Sequence, residues 1–435
     1  MKLPSLATLL RPPVQTLPLF PHLVAPLALL AVLAAATLFA HSDVNAALLW
    51  SQCHARERLP LLTDARFVPS WVATPACFLV SFLGEALDAR RSRAAVAELL
   101  AGVGALMSVA TGESARRCNE RAASRIGRGV IAMPTAWWVL FNLIGGALVW
   151  QVVIVPAFLH RARMWFSVGR DEPLGVSDDQ QQHQPGHDAR EDEDAEEEQE
   201  KVDTDRSVAD AEIVAIPLAV ALGFYLPSVL MLVFRSPGAV AAWLPFPVYV
   251  SLLRQGVRWA VGRLRRSTPG RVHIEYVTRR QRRAHATGSS SNNSSGSGGS
   301  NKPLAAMYGL PALASVAAHA LLVANLTAGR DDRREMTRST VKFLEVDAQF
   351  LALTVLYWVF AEVGWRAPAT MLLVGAVLGP GAGVCAGWVV RERLLREALR
   401  RLVWGGADDD EDEQVEDGDG GEAERARGER EPLLG

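Results

Sequence analysis

The chain has 435 residues, 45 lysines and arginines against 47 aspartates and glutamates, a net charge of −2 and 49% apolar residues. That near-neutral total excludes a nucleic-acid binder, and four cysteines (Cys53, Cys77, Cys118, Cys385) without metal or redox spacing read as inert apolar residues rather than a disulfide scaffold or zinc module. The charge is sorted in blocks: 171–212 holds 17 acidic and 3 basic residues and 406–435 holds 13 and 3, which leaves +22 on the other 363.

In chain order, apolar runs of 18 or more residues occupy 23–40, 68–87, 130–159, 213–234, 304–328, 343–363 and 367–390. About 20 apolar residues cross a bilayer as a helix. The first run follows a proline-rich leader and is long enough to span, so it reads as a helix rather than a cleaved signal. Residues 94–111 carry Glu98 and many small side chains, and either span or lie as a buried or interfacial helix. Residues 239–257 contain Pro245, Pro247 and Arg254, which predicts a short, irregular segment.

The expected fold is an all-α polytopic transmembrane helix bundle of about eight spans, between seven and nine. Membrane helices fall in 1–168, 213–262 and 303–404. An acidic linker (169–212), a basic Ser/Gly-rich loop (263–302) and an acidic tail (405–435) separate or follow them, and composition predicts these three to be disordered. Arginines flank nearly every span, so alternate loops show no positive-inside asymmetry. The expected location is a membrane, with the endoplasmic reticulum as the organelle. Residues 254–285 bring ten arginines and one acid, Glu275, a block suited to anionic lipid headgroups.

Charge at membrane depth costs on the order of 2.5–3.5 kcal/mol on insertion scales, so the buried acids are where function is sought. Four candidates arise: Glu85, Glu98, Asp347 and Glu362. Each has a plain structural alternative. Glu85 and Asp347 lie near the ends of their apolar runs, Glu362 is four residues from Arg366, and the helix of Glu98 need not be immersed. Asp347 and Glu362 are separated by ~22 Å of helical rise and cannot form one dyad, so an acid from another helix, such as Glu85, would have to complete either site.

Asn142, Gln151, Tyr225 and His319 are polar groups at mid-span whose ordinary use is interhelical hydrogen bonding. Gly145-Gly146 and the stretch from Gly379 to Gly383 read as sites of close helix packing. Trp137, Trp138, Tyr357 and Trp358 lie near the acids, and Trp358 shares a helix face with Glu362. Aromatic faces beside an acid suit carbocation chemistry and also suit plain packing. No Walker-type loop, dinucleotide fingerprint, H-E-x-x-H or G-x-S-x-G is present, so no cofactor or metal is expected. The DDRRE run at 331–335 is a mixed-charge loop rather than a magnesium motif.

FLEVDAQFLALTVLYWVFAEVG at 343–364, Met307-Tyr308-Gly309-Leu310-Pro311 before it, AIPLAVALGFYLPSVLM at 215–231 and PTAWWVLFNLIGGALVWQ at 134–151 resemble the fungal membrane-bound terpene cyclases of ascochlorin- and ascofuranone-type pathways. The resemblance implies protonation-initiated cyclisation of a prenyl or epoxy-prenyl chain, often on a meroterpenoid. It implies the acid role for Asp347 and Glu362 and makes Asn142 and His319 polar anchors of a pocket whose cation path Trp137, Trp138 and Trp358 line. The implied partner is a hydrophobic prenylated small molecule. The competing expectation is a non-enzymatic membrane protein, a scaffold or transporter-like component, whose acids tie helices together.

Overall fold

A computed structural model describes residues 24–41, 70–116, 134–160, 210–267, 302–327 and 331–404, with a few isolated positions between 44 and 51 and at 208. Nearly all of the linker, loop and tail expected to be disordered lies outside the described residues, as do Cys53 and Cys118. Contacts divide the chain into two units, Met1–Leu174 with Ser207–Arg391, and Gly175–Arg206 with Glu392–Gly435. Of the second unit the structure describes only 392–404, the last turns of a helix. The first is the helical bundle.

Among the described residues the chain is all-helical. The elements are α1 (Ala25–His41), α2 (Ser70–Ala86), α3 (Arg90–Ser114), α4 (Pro134–Ile144), α5 (Gly146–His160), α6 (Ala211–Phe234), α7 (Pro237–Trp243), α8 (Phe246–Ser267), α9 (Lys302–Thr327), α10 (Glu335–Val363), α11 (Arg366–Leu378) and α12 (Pro380–Trp404). Four of them, α3, α6, α9 and α10, are long and apolar enough to cross a membrane, and α1, α2, α4, α5 and α11 are shorter apolar helices. This is a membrane protein by the length and composition of those helices.

The most deeply buried of the four long helices is α3, the segment whose immersion the sequence left open. Its small residues make that possible. A methyl group on Gly104 would collide with the Tyr225 ring of α6, and one on Gly112 would lie 3.1 Å from Met307 of α9. Close approach of this kind replaces the hydrophobic drive that lipid removes. Loop residue Asp332 reaches the start of α3, where its carboxylate accepts the N–H of Arg90 (2.8 Å) and of Arg91 (3.3 Å). It thereby satisfies two of the donors that a helix start leaves unpaired.

Prolines set the local irregularities. α5 contains a wide π turn at Trp150–Ile154, two residues before Pro156, and α6 one at Ala221–Tyr225, two residues before Pro227. A proline ring crowds the carbonyl four residues back, and a wider turn relieves it. The expected irregularity of 239–257 is a break between α7 and α8 at Leu244-Pro245.

Two other apolar runs that read as continuous are interrupted. Residues 130–159 break at Gly145 (φ 100°) and 367–390 at Gly379 (φ 95°), and only glycine enters that region without strain. Cys77 is disulfide-bonded, which corrects its reading as an inert residue; spacing alone shows no pairing between distant cysteines. Cys385 is free and buried.

Candidate functional site

The helix breaks converge on one cavity. It has a volume of about 860 Å³, and each of the three interruptions contributes to its wall: Gly145 and Gly146 from the first, Leu244 from the second and Pro380 from the third. Phe78, Phe82, Phe141, Trp243, Phe246 and Phe343 give it aromatic faces, and aliphatic side chains of α2, α3, α10 and α11 fill the gaps. Among the residues that line it, Asp347 is the single ionisable side chain and Asn142 the single amide.

Asp347 is held by the break in front of α5. Its Oδ2 accepts the N–H of Gly146 at 2.9 Å and its Oδ1 that of Ala147 at 3.1 Å, so both oxygens cap the half-helix from α10. The Gly-Gly pair is what admits the carboxylate. A methyl on Gly145 would lie 3.2 Å from Oδ1, and one on Gly146 would lie 2.5 Å from the Phe141 ring. The sequence placed Asp347 near the start of its span, but α10 begins at Glu335 because the polar residues before the apolar run, Thr337, Ser339 and Thr340, are buried in the bundle. Asp347 thus sits about 18 Å along the helix.

Asn142 serves the second break. Val248 N–H bonds to Pro245 at 2.9 Å rather than to Leu244, which leaves the Leu244 carbonyl without its helical donor. The Asn142 amide supplies one at 3.0 Å.

Glu362 lies elsewhere, in a buried four-charge cluster. The Arg391 guanidinium donates through Nε to Glu362 Oε2, and through Nη1 to Glu113 Oε1 at 3.1 Å. Arg116 pairs with the same Glu113 at 2.8 Å. Trp358 Nε1 donates to Glu362 at 2.8 Å and Trp388 Nε1 to Glu113 at 3.2 Å. The Arg391 guanidinium also stands 4.3 Å from the Trp388 ring centre, within cation–π range. The ion pair of Glu362 therefore reaches across 29 residues to Arg391 rather than four to Arg366.

The remaining candidates lie outside the cavity lining. Trp358 shares the Glu362 face as expected, but as its hydrogen-bond donor, and it packs in an aromatic cluster with Trp150, Phe158 and Trp388. Trp138 joins that cluster through Trp150 at 6.0 Å between ring centres. These indoles are buried among one another, so the cavity takes its aromatic faces from other residues, mainly phenylalanines. Trp137 and the half-buried Tyr357 do not line the cavity either. Glu85, near the end of α2, is also absent from the lining, so it does not complete a site around Asp347. His319 pairs with Glu98 at 2.6 Å.

Outside the membrane segments, the 331–335 loop is a mixed-charge turn. Asp331 is held well below the usual carboxylate range by hydrogen bonds from the side chain and backbone of Arg333, and Asp332 is lowered chiefly by the backbone N–H of Arg90. No group of three or more His, Cys, Asp or Glu side chains among the described residues is placed to hold a metal ion. No family model, curated protein or solved structure matches the chain.

Proposed function

We propose that the chain is an integral membrane enzyme that takes a prenyl-type molecule into the 860 Å³ cavity and cyclises it, with Asp347 as the acid that starts ring closure. The observation that carries this reading is the cavity wall, apolar and aromatic except for one carboxylate, one amide and the Thr74 hydroxyl. Its volume is in the range of small-molecule sites. Protonation-started cyclisation needs an acid at an apolar enclosure and aromatic faces that spread the cation's charge. With Glu362 bound to Arg391, the acid role falls to Asp347. The two amides that hold its oxygens fix its position and leave the other lone pairs toward the cavity.

On this proposal α1, α2 and the broken pairs α4–α5 and α11–α12 join the four long helices to give about eight spans. The second half of α8 exposes Trp259 (62%) and Leu264 (68%), with the Arg263 guanidinium 4.4 Å from the Trp259 ring. This fits the anionic-headgroup contact expected for 254–285.

The test is expression in a host supplied with a prenylated epoxide, followed by product analysis. The wild-type chain forms a cyclised product. Asp347→Asn forms none, and Ala348→Phe, which fills the cavity without touching the cap, forms none either. Equal product from Asp347→Asn overturns the assignment. A second reading, transporter-like binding without chemistry, is favoured by the interruptions at Gly145 and Gly379, since transporter sites are built at broken helices. Recovery of bound but unchanged substrate supports it.

A further inference from the structure

A second polar cluster lies in the bundle, off the cavity-lining face of α3. Leu99, Gly102, Val103 and Leu106 of α3 line the cavity, whereas Glu98 does not, and its carboxylate meets His319 Nδ1 of α9 at 2.6 Å. Glu98 is buried and the histidine half-buried, both inside long apolar helices. One turn before His319, the Ser315 hydroxyl is fully buried without a hydrogen-bond partner.

Both α9 residues press on the α11–α12 break. A methyl on Gly379 would lie 2.8 Å from Ser315 Oγ and 2.9 Å from His319 Cβ, and one on Gly381 would lie 3.0 Å from Ser315 Oγ. Pro380, between those glycines, lines the cavity. One junction therefore has the acid–histidine pair on one side and the cavity on the other.

We propose that Glu98 and His319 form an intramembrane proton-binding site whose loading sets the packing of the Gly379–Pro380 junction that walls the cavity. At 2.6 Å the carboxylate and imidazole share one hydrogen. Unloaded, the pair is a carboxylate with a neutral imidazole and carries one negative charge. Loaded, it takes one proton from water on Nε2 and becomes a carboxylate–imidazolium pair of zero net charge. Intramembrane acid and histidine pairs are the usual parts of proton relays.

The helices packed on α3 and α9 carry further charged groups: α10 has Lys342, Glu345 and Asp347, the last capping α5, and α2 has Glu85 near its end. Along α3, Arg91 lies two turns back on the Glu98 face and Arg93 between them, while Glu113 is ~22 Å onward and bound to Arg116 and Arg391. From α6, Glu212 is bound by Arg254 and Arg258, and the Tyr225 hydroxyl donates to the Ala101 carbonyl at 3.2 Å. From α11, Arg366 is at the helix end opposite Gly379, and from α12 the nearest titratable group is the buried Cys385.

This inference does not depend on which chemistry the cavity performs. It is tested on the detergent-solubilised full chain with a fluorine label on Leu378→Cys, beside the junction. Between pH 5.5 and 8.5 the label's signal shifts in the otherwise wild-type chain and stays constant when Glu98→Gln or His319→Gln is added. An uncharged farnesyl fluorescent probe binds with an affinity that changes about tenfold over that range, and less than about twofold in either variant. A junction signal that ignores pH, or one that titrates equally in both variants, overturns the proposal whether or not the probe binds. Failure of the probe to bind while the junction titrates counts against the cavity reading instead.

Discussion

Replacing Glu362 and Arg391 singly and together separates a structural acid from a chemical one. The cluster sets Glu113 and Glu362 against Arg116 and Arg391, all between 4% and 6% exposed. Glu362→Met removes one buried anion from this set and Arg391→Met one buried cation, each without its partner. Stranding a buried charge in this way costs about 3–5 kcal/mol. The double variant removes one charge of each sign and leaves the Glu113–Arg116 pair at 2.8 Å, and its methionines pack against Trp358 and Trp388. Its residual costs are the lost acceptor of the Trp358 indole, about 1–3 kcal/mol, and the lost Arg391 donor of Glu113, which Arg391→Met alone also incurs. The double is therefore more stable than either single, with a coupling energy of roughly 3 kcal/mol or more. The assay is the apparent melting temperature of the full chain in detergent, read as monodisperse protein surviving a heat step. A double variant that melts below the worse single refutes the reasoning. So does a Glu362→Met protein that melts like wild type yet loses all turnover, because Glu362 would then be a chemical group.

Three further outcomes follow from the geometry. Gly145→Ala strains a residue at φ 100° and crowds Asp347, which costs about 1–3 kcal/mol and lowers the melting temperature, whereas Gly238→Ala, which meets nothing, shifts it little. Gln151 is 1% exposed with both amide atoms unpartnered, so Gln151→Leu raises the melting temperature by relieving a penalty of about 1–3 kcal/mol. Asp331 and Asp332 have folded pKa values below their unfolded ones, so their stabilisation is complete above about pH 4 and is lost as pH falls through the folded values. Melting curves between pH 5 and 2 therefore drop less steeply in Asp332→Asn than in wild type.

Hydropathy made the helices legible because a bilayer span imprints about 20 consecutive apolar residues. It concealed the breaks for the same reason: the residues on both sides of Gly145 and of Gly379 are equally apolar, and the glycines read as packing residues. They are partly that, since Gly383 stands against the Met371 carbonyl and Gly375. The partner of Asp347 was illegible because a backbone cap 200 residues away has no side-chain signature. Glu362 was misdirected by Arg366 at helical spacing, since nothing in a sequence ranks that neighbour below an arginine on another helix. Trp358 was placed on the correct face, and only its role differed. The Glu98–His319 pair joins two residues that sequence weighed separately.

The most direct measurement of the central claim is photo-crosslinking with a farnesyl diazirine in membranes, mapped by peptide mass spectrometry. The account predicts saturable labelling confined to the cavity wall, at Phe141 to Gly146 and Phe343 to Leu356, which excess unlabelled prenyl alcohol competes away and Ala348→Phe suppresses. Labelling spread over exposed faces such as Leu313, Leu373 and Val377, neither saturable nor changed by Ala348→Phe, would contradict it.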